Sequence, residues 1–367
     1  MEANRRSVCV VKPGTMRRGI LPIAFGISLV AFVAQAWAAE MKAEAYRVVQ
    51  TAKVGGAGGF DYVFADVAER KLYIPRGDRV TVFDLDSLKP AGEIPGAKSV
   101  HGATVDSKSH HGFSSSNPVL MWDTRSLAVL KSIPVEGNPD GIHFDEGTQR
   151  IWVLSHRAPN ATVIDAKDGS IVGTVDLGGM PEQAVSDGRG RIYIDIENKD
   201  NVAVVEAATM KVLAHYDLGG KGGTPAGLAM DVKNRLLFAC CRNPATAVVL
   251  NADDGKILGA LPIGAGTDGA AFNAATSEVF SSNRDGTLSV IKVSGPTSFA
   301  VTQNVTTMVS AKTCTLDAKT GRVLLIGAEY APPPVAPPGG QTDGKKSKGG
   351  GRGAMVPDSF TILAVAR

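Results

Sequence analysis

The sequence is poor in cysteine and aromatic residues and has none of the short motifs that mark common catalytic centres. Its 367 residues include 4 cysteines and 3 tryptophans, and aromatic residues make up 6% of the chain. It contains no G-x-S-x-G, H-E-x-x-H, P-loop or C-x-x-C-H motif. The usual signatures of α/β-hydrolases, zinc proteases, P-loop NTPases and c-type cytochromes are therefore missing. No cysteine spacing matches a zinc site.

Long apolar runs are also scarce, and the one that occurs lies near the N-terminus. The run from Ile20 to Val33 follows Arg17-Arg18 and precedes Ala36-Trp37-Ala38, the small-x-small pattern that signal peptidase accepts. We predict a signal peptide over residues 1–38 and export to the periplasm or out of the cell. A retained N-terminal anchor is the alternative. No later run approaches the roughly 18 apolar residues of a membrane span, so no stable span is expected after cleavage.

The charge of the remaining chain argues against nucleic acid as a partner. The whole sequence has a net charge of +3, but the part after residue 38 has a net charge of about −1. Four of its positive residues lie in one Pro-, Gly- and Lys-rich segment, as Lys345, Lys346, Lys348 and Arg352. Binding to nucleic acid depends on a broad basic surface, and we therefore expect no nucleic-acid partner.

A pattern of about 40 residues recurs along the chain. Each copy has a short apolar strand ending in Asp or Asn, a turn, a second strand such as Leu72-Tyr73-Ile74, an alternating third strand such as Val80-Thr81-Val82-Phe83-Asp84, and a fourth strand. Four short strands per repeat are typical of a propeller blade. The residues that end the first strands lie 39 to 44 positions apart and are Asp66, Asp106, Asp145, Asp187, Asp231, Asn273 and Asp317.

The seventh copy lacks a fourth strand of its own. Its third strand, Phe360 to Val365, stands at the C-terminus, and Tyr46 to Lys53 has the length and alternation to supply the missing strand. Pairing of the two ends closes the ring and removes exposed sheet edges. We therefore predict an all-β fold, a seven-bladed β-propeller with four-stranded blades, as one domain over residues 39–367 and as a monomer. The insertion at 331–356 in the last copy is expected to be a flexible loop.

The repeat resembles the YVTN-type repeat of YncE-like β-propeller proteins. The elements that carry the resemblance are the Asp, the turn, a strand like Leu72-Tyr73-Ile74, a polar loop and a strand of the form Val-x-Val-x-Asp, and they extend over Tyr46 to Arg367. The resemblance implies a periplasmic or secreted protein that binds a ligand or a partner. It does not imply a particular activity, and a DNA-binding role proposed within the family conflicts with the charge of this chain.

Polar residues begin six of the seven first strands, whose ends meet around the central channel of a propeller. Four carboxylates at one narrow opening repel one another unless a cation or hydrogen-bond donors share the space. One interpretation is a divalent cation, with calcium as the first choice, held by Asp61, Asp140, Glu182 and Asp268. The other is that the acids cap turns, since Asp-Gly is a common turn dipeptide. The six residues are Asp61, His101, Asp140, Glu182, Asp268 and Lys312.

The loops between the second and third strands add basic and amide side chains on the same face. Guanidinium groups bind carboxylate or phosphate in a two-pronged manner, so these loops suit an anionic group on a small ligand. A solvated loop surface with local ion pairs is the alternative. The loop residues predicted to bind a ligand are Arg76, His156, Arg157, Arg242, Asn283 and Arg284.

These features predict a binding or scaffold module that recognises a small molecule or a protein partner on its channel face. The alternative is an enzyme on that face, either a lactonase-type hydrolase that uses carboxylate, His and Arg around a cation, or a quinone-dependent dehydrogenase. Propellers host both chemistries. After residue 38 the tryptophans are Trp122 and Trp152, too few for the repeated Trp pattern of a quinoprotein.

Overall fold

The computed structural model of the chain describes residues 44–332 and 353–367. The predicted signal peptide, 1–38, and residues 333–352 of the insertion lie outside the described residues. All strands of the described residues belong to one compact unit, Ala45–Arg367. Among the described residues, no helix has the length and apolarity to cross a membrane.

Among the described residues, twenty-eight strands form seven antiparallel four-stranded sheets, which confirms the predicted seven-bladed propeller. The strand β1 (Arg47–Lys53) comes first along the chain. Blades 1 to 3 follow as β2 (Phe64–Asp66), β3 (Lys71–Pro75), β4 (Gly77–Asp84), β5 (Pro90–Val100); β6 (Ala103–Asp106), β7 (His111–Ser114), β8 (Val119–Asp123), β9 (Val129–Ile133); β10 (Pro139–Asp145), β11 (Arg150–Ser155), β12 (Ala161–Asp165), β13 (Ile171–Val175).

Blades 4 to 7 repeat the same order, with one short 3-10 helix, Glu197–Lys199, between the second and third strands of blade 4. Their strands are β14 (Pro181–Ser186), β15 (Arg191–Ile196), β16 (Asn201–Glu206), β17 (Lys211–Asp217); β18 (Pro225–Asp231), β19 (Leu236–Arg242), β20 (Ala245–Asn251), β21 (Ile257–Pro262); β22 (Thr267–Asn273), β23 (Glu278–Asn283), β24 (Thr287–Gly295), β25 (Ser298–Thr306); β26 (Cys314–Asp317), β27 (Arg322–Gly327), β28 (Thr361–Ala366).

The two ends of the chain close the ring, as predicted. Blade 7 has the order β26-β27-β28-β1, and β1 pairs antiparallel with β28 so that Arg47 lies opposite Ala366 and Lys53 opposite Thr361. The base of the insertion is ordered by a short bridge between Tyr330 and Met355. The seven repeats supply twenty-seven strands, β2 to β28, and β1 is the twenty-eighth. With β1 in blade 7, every sheet of the described residues has four strands.

The core consists of seven buried clusters, one at each seam between neighbouring blades. Successive side chains of a strand point to opposite faces of its sheet. Thus Leu72 and Ile74 pack toward blade 7 whereas Tyr73 between them packs toward blade 2. Because both faces of the inner strands are covered, the sequences of these strands are continuous apolar runs.

The repeated Asp or Asn has the same local role in every blade. Its side chain accepts backbone N–H groups of the turn that leads into the second strand: Asp66 accepts from Ala68 and Glu69, and Asp317 accepts from Lys319. This is the hydrogen bond that favours Asp and Asn in turns. The period of the sequence therefore records a turn cap that is used seven times.

Two of these acids also join neighbouring blades through an arginine. Arg70 of blade 1 donates from Nη1 and Nη2 to the two oxygens of buried Asp317 in blade 7, at 2.8 and 2.7 Å, and from Nη2 to Asp86 at 2.6 Å. Arg235 joins Asp187 and Asp253 in the same way between blades 4 and 5. The pKa of Asp317 lies below its ordinary value because the bonds from Arg70 and Thr320 outweigh the effect of burial.

We predict that Arg70→Gln lowers the free energy of unfolding by about 2–4 kcal/mol, because it leaves the buried Asp317 carboxylate without its main partner. Chemical denaturation of the two proteins measures the difference. Arg191→Gln is the control, since its contact with Asp253 is 4.0 Å long and both side chains are exposed; this change should cost below about 1 kcal/mol. Equal losses in the two variants would contradict the role assigned to Arg70.

Candidate functional site

Eight of the twelve residues predicted for the channel face form one closed ring of contacts at the channel mouth. Acids and bases alternate around the ring, so each carboxylate lies between two basic groups. In order, the members are Lys312, Asp61, His101, Asp140, His156, Glu182, Arg242 and Asp268, and Asp268 contacts Lys312 again. We call this set the charge ring.

One half of the charge ring is built from the residues before the first strands of blades 1, 2 and 7. Lys312 Nζ lies 2.8 Å from Asp61 Oδ1. His101 Nδ1 lies 2.9 Å from Asp61 Oδ2 and 3.1 Å from Asp140 Oδ1. The imidazole of His101 is therefore placed between two carboxylates.

The other half combines first strands with residues at the ends of second strands. His156, just after β11, has its Nε2 3.4 Å from Asp140 Oδ2 and 3.5 Å from Glu182 Oε1. Arg242, at the end of β19, contacts Glu182 at 3.7 Å and bonds Asp268 from the same Nη2. Lys312 bonds the second oxygen of Asp268 and closes the ring.

Three of the four carboxylates in the charge ring are more deeply buried than its imidazole and guanidinium groups, whereas Asp61 and Lys312 are 19% and 14% exposed. The carboxylates of Asp140, Glu182 and Asp268 are 8%, 6% and 2% exposed, whereas the imidazole of His101 is 36% and the guanidinium side chain of Arg242 27% exposed. The repulsion expected among the four acids is thus relieved by donors from the chain itself. Solvent meets imidazole and guanidinium groups first.

The charge ring shifts the pKa values of its members strongly and in different directions. The hydrogen bond to Asp61 raises the pKa of His101, and the contact with Glu182 raises the pKa of His156 to about 9. Burial, together with the charges of Glu182 and Asp61, raises the pKa of Asp140 to about 7. Burial acts the same way on Glu182, but the hydrogen bonds with His156 and Glu197, the charge of Arg242 and the bond from Tyr62 prevail and lower its pKa to about 2.

Glycine allows the first strands to come close enough for these contacts. A Cβ on Gly141 would lie 2.3 Å from the backbone oxygen of Glu182, and one on Gly269 would lie 3.2 Å from Thr313 Cα. Both glycines are within strands, β10 and β22, and neither has a positive φ. The dipeptides Asp140-Gly141 and Asp268-Gly269 are therefore not turns, and the interpretation that these acids cap turns is wrong. The glycine serves backbone packing and the acid projects into the channel mouth.

Side chains close the channel beneath the charge ring. Tyr62 donates to Glu182 Oε2 at 2.5 Å. Gln183 reaches across to two other blades, since its amide group bonds the backbone of Leu228 and Ala270. A cavity of about 610 Å³ lies below this floor and is lined largely by apolar side chains such as Phe144. Glu182, a member of the charge ring, is also among the residues that line this cavity.

Sequence analysis missed two residues beside the charge ring. Tyr62 follows Asp61 directly and gave no separate signal. Asp195 is fully buried on β15, and neither carboxylate oxygen has a hydrogen-bond partner among the described residues. Burial and the charge of Glu182 raise its pKa well above the ordinary value. An acid inside the apolar strand Arg191–Ile196 was a signal that could have indicated it.

Four predicted residues lie outside the charge ring. Arg157 and Arg284 are exposed in loops. Asn283 is fully buried and bonds Ser281, Thr287 and Ser289 within blade 6, so it holds that blade together and is closed to a ligand. Arg76 is buried at the seam between blades 1 and 7.

Two overlapping groups within the charge ring have the donor atoms of a metal site. Asp61, His101 and Asp140 form one, and Asp140, His156 and Glu182 form the other, with the donor atoms of each group within 4.8 Å of one another. Asp140 belongs to both and turns a different oxygen toward each histidine. Asp268, predicted as a ligand, belongs to neither group and is occupied by Arg242 and Lys312.

Comparison with known proteins supports the fold alone. No protein-family model matches the chain, and no curated protein matches it in sequence. Among solved structures, the chain is similar to one described as Kuenenia stuttgartiensis hydrazine synthase, with a TM-score of 0.57 and 16% identity over 64% of this chain and 84% of that one. The chain is therefore a β-propeller protein whose fold has solved counterparts of very different sequence.

We predict that His156 of the metal-free protein titrates near pH 9, well above the ordinary value of about 6.5. A raised pKa favours the folded state while the imidazole is protonated. The stabilisation from His156 is therefore complete below about pH 6.5 and is lost as the pH rises through about 9. The free energy of unfolding of wild type and of His156→Gln, measured across this pH range, tests the prediction. As the pH rises from about 6.5 to about 9, the free energy of unfolding should fall less in the variant than in wild type. His215→Gln, which removes an exposed imidazole of β17, should behave like wild type.

Proposed function

We propose that the protein is an exported binding protein whose channel mouth takes up a divalent transition-metal ion. The ligands are drawn from the charge ring, with Asp140 at their centre and His101 and His156 on its two sides. In the metal-free protein the protonated imidazoles hold the carboxylates together. A metal ion takes over that task and displaces the protons.

The observation that carries this proposal is the sharing of Asp140 by two sets of ligands. Each set combines one imidazole with two carboxylates, a donor set typical of zinc and related ions. Asp140 and Glu182 are nearly buried, yet both sit beside a partly exposed imidazole, so an ion can reach them from the outer face. Glu182 also lines the cavity below, together with Tyr62 and Gln183.

The donor set also bears on which ion is bound. Calcium prefers six to eight oxygen ligands, and the prediction of calcium depended on four carboxylates acting together. Because Asp268 is engaged by Arg242 and Lys312, three carboxylates and two imidazoles are left for an ion. Imidazole nitrogen favours zinc, nickel, copper or iron over calcium.

Membership of the YncE-like family and export are part of the same proposal. The repeat pattern and the confirmed propeller fold support the family, and the apolar run with its Ala36-Trp37-Ala38 pattern supports export. Export to the periplasm or secretion from the cell would give the outer face of the charge ring direct access to metal ions outside the cytoplasm. No protein or nucleic-acid partner is needed for this role.

We expect protein freed of metal by chelation, and carrying no histidine tag, to bind zinc or nickel with release of protons and to show no comparable heat with calcium. Isothermal titration in two buffers of different ionisation enthalpy measures affinity and proton release together. Asp140→Asn, which removes the shared ligand, should weaken binding by at least about 100-fold.

The matched control is His110→Gln. It removes another histidine–carboxylate contact, His110 Nδ1 to Glu69 Oε1 at 2.9 Å, far from the charge ring. This variant should bind metal within about twofold of wild type. The proposal fails if wild type takes up no transition metal, or if the two variants weaken binding equally.

A hydrolase on the same face is the second candidate, and one observation favours it. Asp140 and Glu182 are neighbours with very different pKa values, about 7 and about 2, and separated carboxylate pKa values are typical of acid–base catalysis. We expect no turnover of aliphatic or aromatic lactones by metal-loaded protein if the binding role is correct. Turnover that is lost in Asp140→Asn and kept in His110→Gln would establish the enzyme instead.

A further inference from the structure

Arg76 is a buried arginine without an acidic partner among the described residues. It follows β3 at the seam between blades 1 and 7 and is 3% exposed. Its Nη1 has no hydrogen-bond partner there. A buried charge is normally paired and fully hydrogen-bonded, because leaving it unpaired is strongly unfavourable. Arg76 therefore differs from Arg70 and Arg235, which each bind two carboxylates.

The guanidinium of Arg76 is held in place by contacts that leave Nη1 without a hydrogen bond. Its Cζ lies 3.7 Å from the centre of the Phe360 ring, and Nη2 donates to the backbone oxygen of Gly56 at 2.8 Å. Stacking on an aromatic ring fixes the plane of the group and compensates its charge only in part. Nη1 itself is buried, and no described residue accepts a hydrogen bond from it.

A glycine-rich loop, residues 55–59, lies against Arg76. A Cβ on Gly58 would be 2.8 Å from the backbone oxygen of Arg76, and Gly55, Gly56 and Gly58 have positive φ values of 64°, 79° and 106°. These positions need glycine for the loop to approach so closely. Beside the loop lies a cavity of about 230 Å³, whose lining includes Gly55, Gly56, Ala57, Arg76, Arg79 and Phe360.

The acids near this cavity bind groups other than Arg76. Asp78 and Glu93 lie 2.6 and 3.5 Å from Arg79 and neutralise that residue. Asp358 accepts the N–H of Gly56 at 3.3 Å and forms no ion pair with Arg76. Burial and the nearby charge of Arg79 lower the pKa of Arg76 to about 10, the direction expected for a cation that lacks a counter-ion.

We propose that Arg76 anchors a second binding site, which takes a small oxyanion, a phosphate or a carboxylate group, between the glycine-rich loop and Phe360. The free edge of the guanidinium donates to the oxyanion, a geometry that arginine favours. The volume of the cavity admits a group of this size and excludes a large ligand. This site is separate from the charge ring and does not depend on the metal proposal.

The probes are inorganic phosphate and acetate, tested on the full mature chain at constant ionic strength with sodium chloride as the reference. Either probe should raise the melting temperature of wild type and bind saturably, because a ligand of the folded state stabilises it by mass action. A response to phosphate alone identifies a phosphate site. A response to acetate alone identifies a carboxylate site, and a response to both identifies a general oxyanion site.

The decisive variant is Arg76→Met, which keeps a long side chain over Phe360 and removes the unpaired charge. We expect it to be at least as stable as wild type in chloride, since a buried unpaired cation has been removed, and to bind the probe at least about tenfold more weakly, the loss expected for one charge-assisted hydrogen bond. Arg189→Gln removes an exposed positive charge from another turn and should leave probe affinity within about twofold.

The proposal is overturned if neither probe stabilises wild type beyond chloride, or if Arg76→Met keeps the response. Should Arg76→Met not fold, wild-type crystals grown without phosphate or sulfate and soaked in selenate decide the matter. An anomalous selenium peak within hydrogen-bond distance of Arg76 Nη1 supports the site. If selenate binds at high occupancy elsewhere in the crystal and no peak appears at Arg76, the result counts against it.

Discussion

Neither face of a propeller blade can be left in water, and this constraint governs the whole molecule. Each inner strand sends alternate side chains to two neighbouring blades, as Tyr73 does against Leu72 and Ile74. The seven apolar seams therefore form only if the ring is complete, and completion depends on the pairing of β1 with β28. The seam between blades 1 and 7 is also held by the buried ion pair between Arg70 and Asp317. Asp317 is one of the repeated residues that cap turns, so this pair connects the turns of the two blades.

Ring closure also creates the charge ring. Seven first strands converge on one axis, and glycines such as Gly141 let their backbones approach until groups from different blades touch. Like charges would be intolerable at that distance. The chain meets this by alternation, with His101, His156, Arg242 and Lys312 placed between four carboxylates from distant parts of the sequence. Their shifted pKa values follow from that crowding and from the burial of the groups themselves.

The fold could be read from the sequence because its signals are local and repeated. The turn-capping Asp66 and its six counterparts recur at a nearly constant spacing, and each is followed by a strand with a recognisable pattern. The missing fourth strand of the last blade could be assigned to Tyr46 to Lys53 because only a closed ring protects the sheet edges. The signal peptide, the insertion beyond residue 332 and the family itself stay predictions.

The site was harder to predict, since its chemistry depends on pairings between blades. The position of each residue in its repeat was enough to predict that the eight members of the charge ring lie on the channel face. It could not show that Arg242 and Lys312 neutralise Asp268, nor that Asn283 turns inward to its own blade. Asp140-Gly141 has the composition of a turn, and the close approach to Glu182 that requires this glycine is a contact between two blades.

The antiparallel register of the closing pair has a mechanical consequence. Arg47 lies opposite Ala366, so the first and last strands end side by side at the same edge of blade 7. A force that pulls the two termini apart would load the hydrogen bonds between β1 and β28 one after another, as in opening a zipper, instead of shearing them together. Tension applied at Arg47 and Ala366 would therefore open the closing pair at a lower force than tension that shears the two strands past each other.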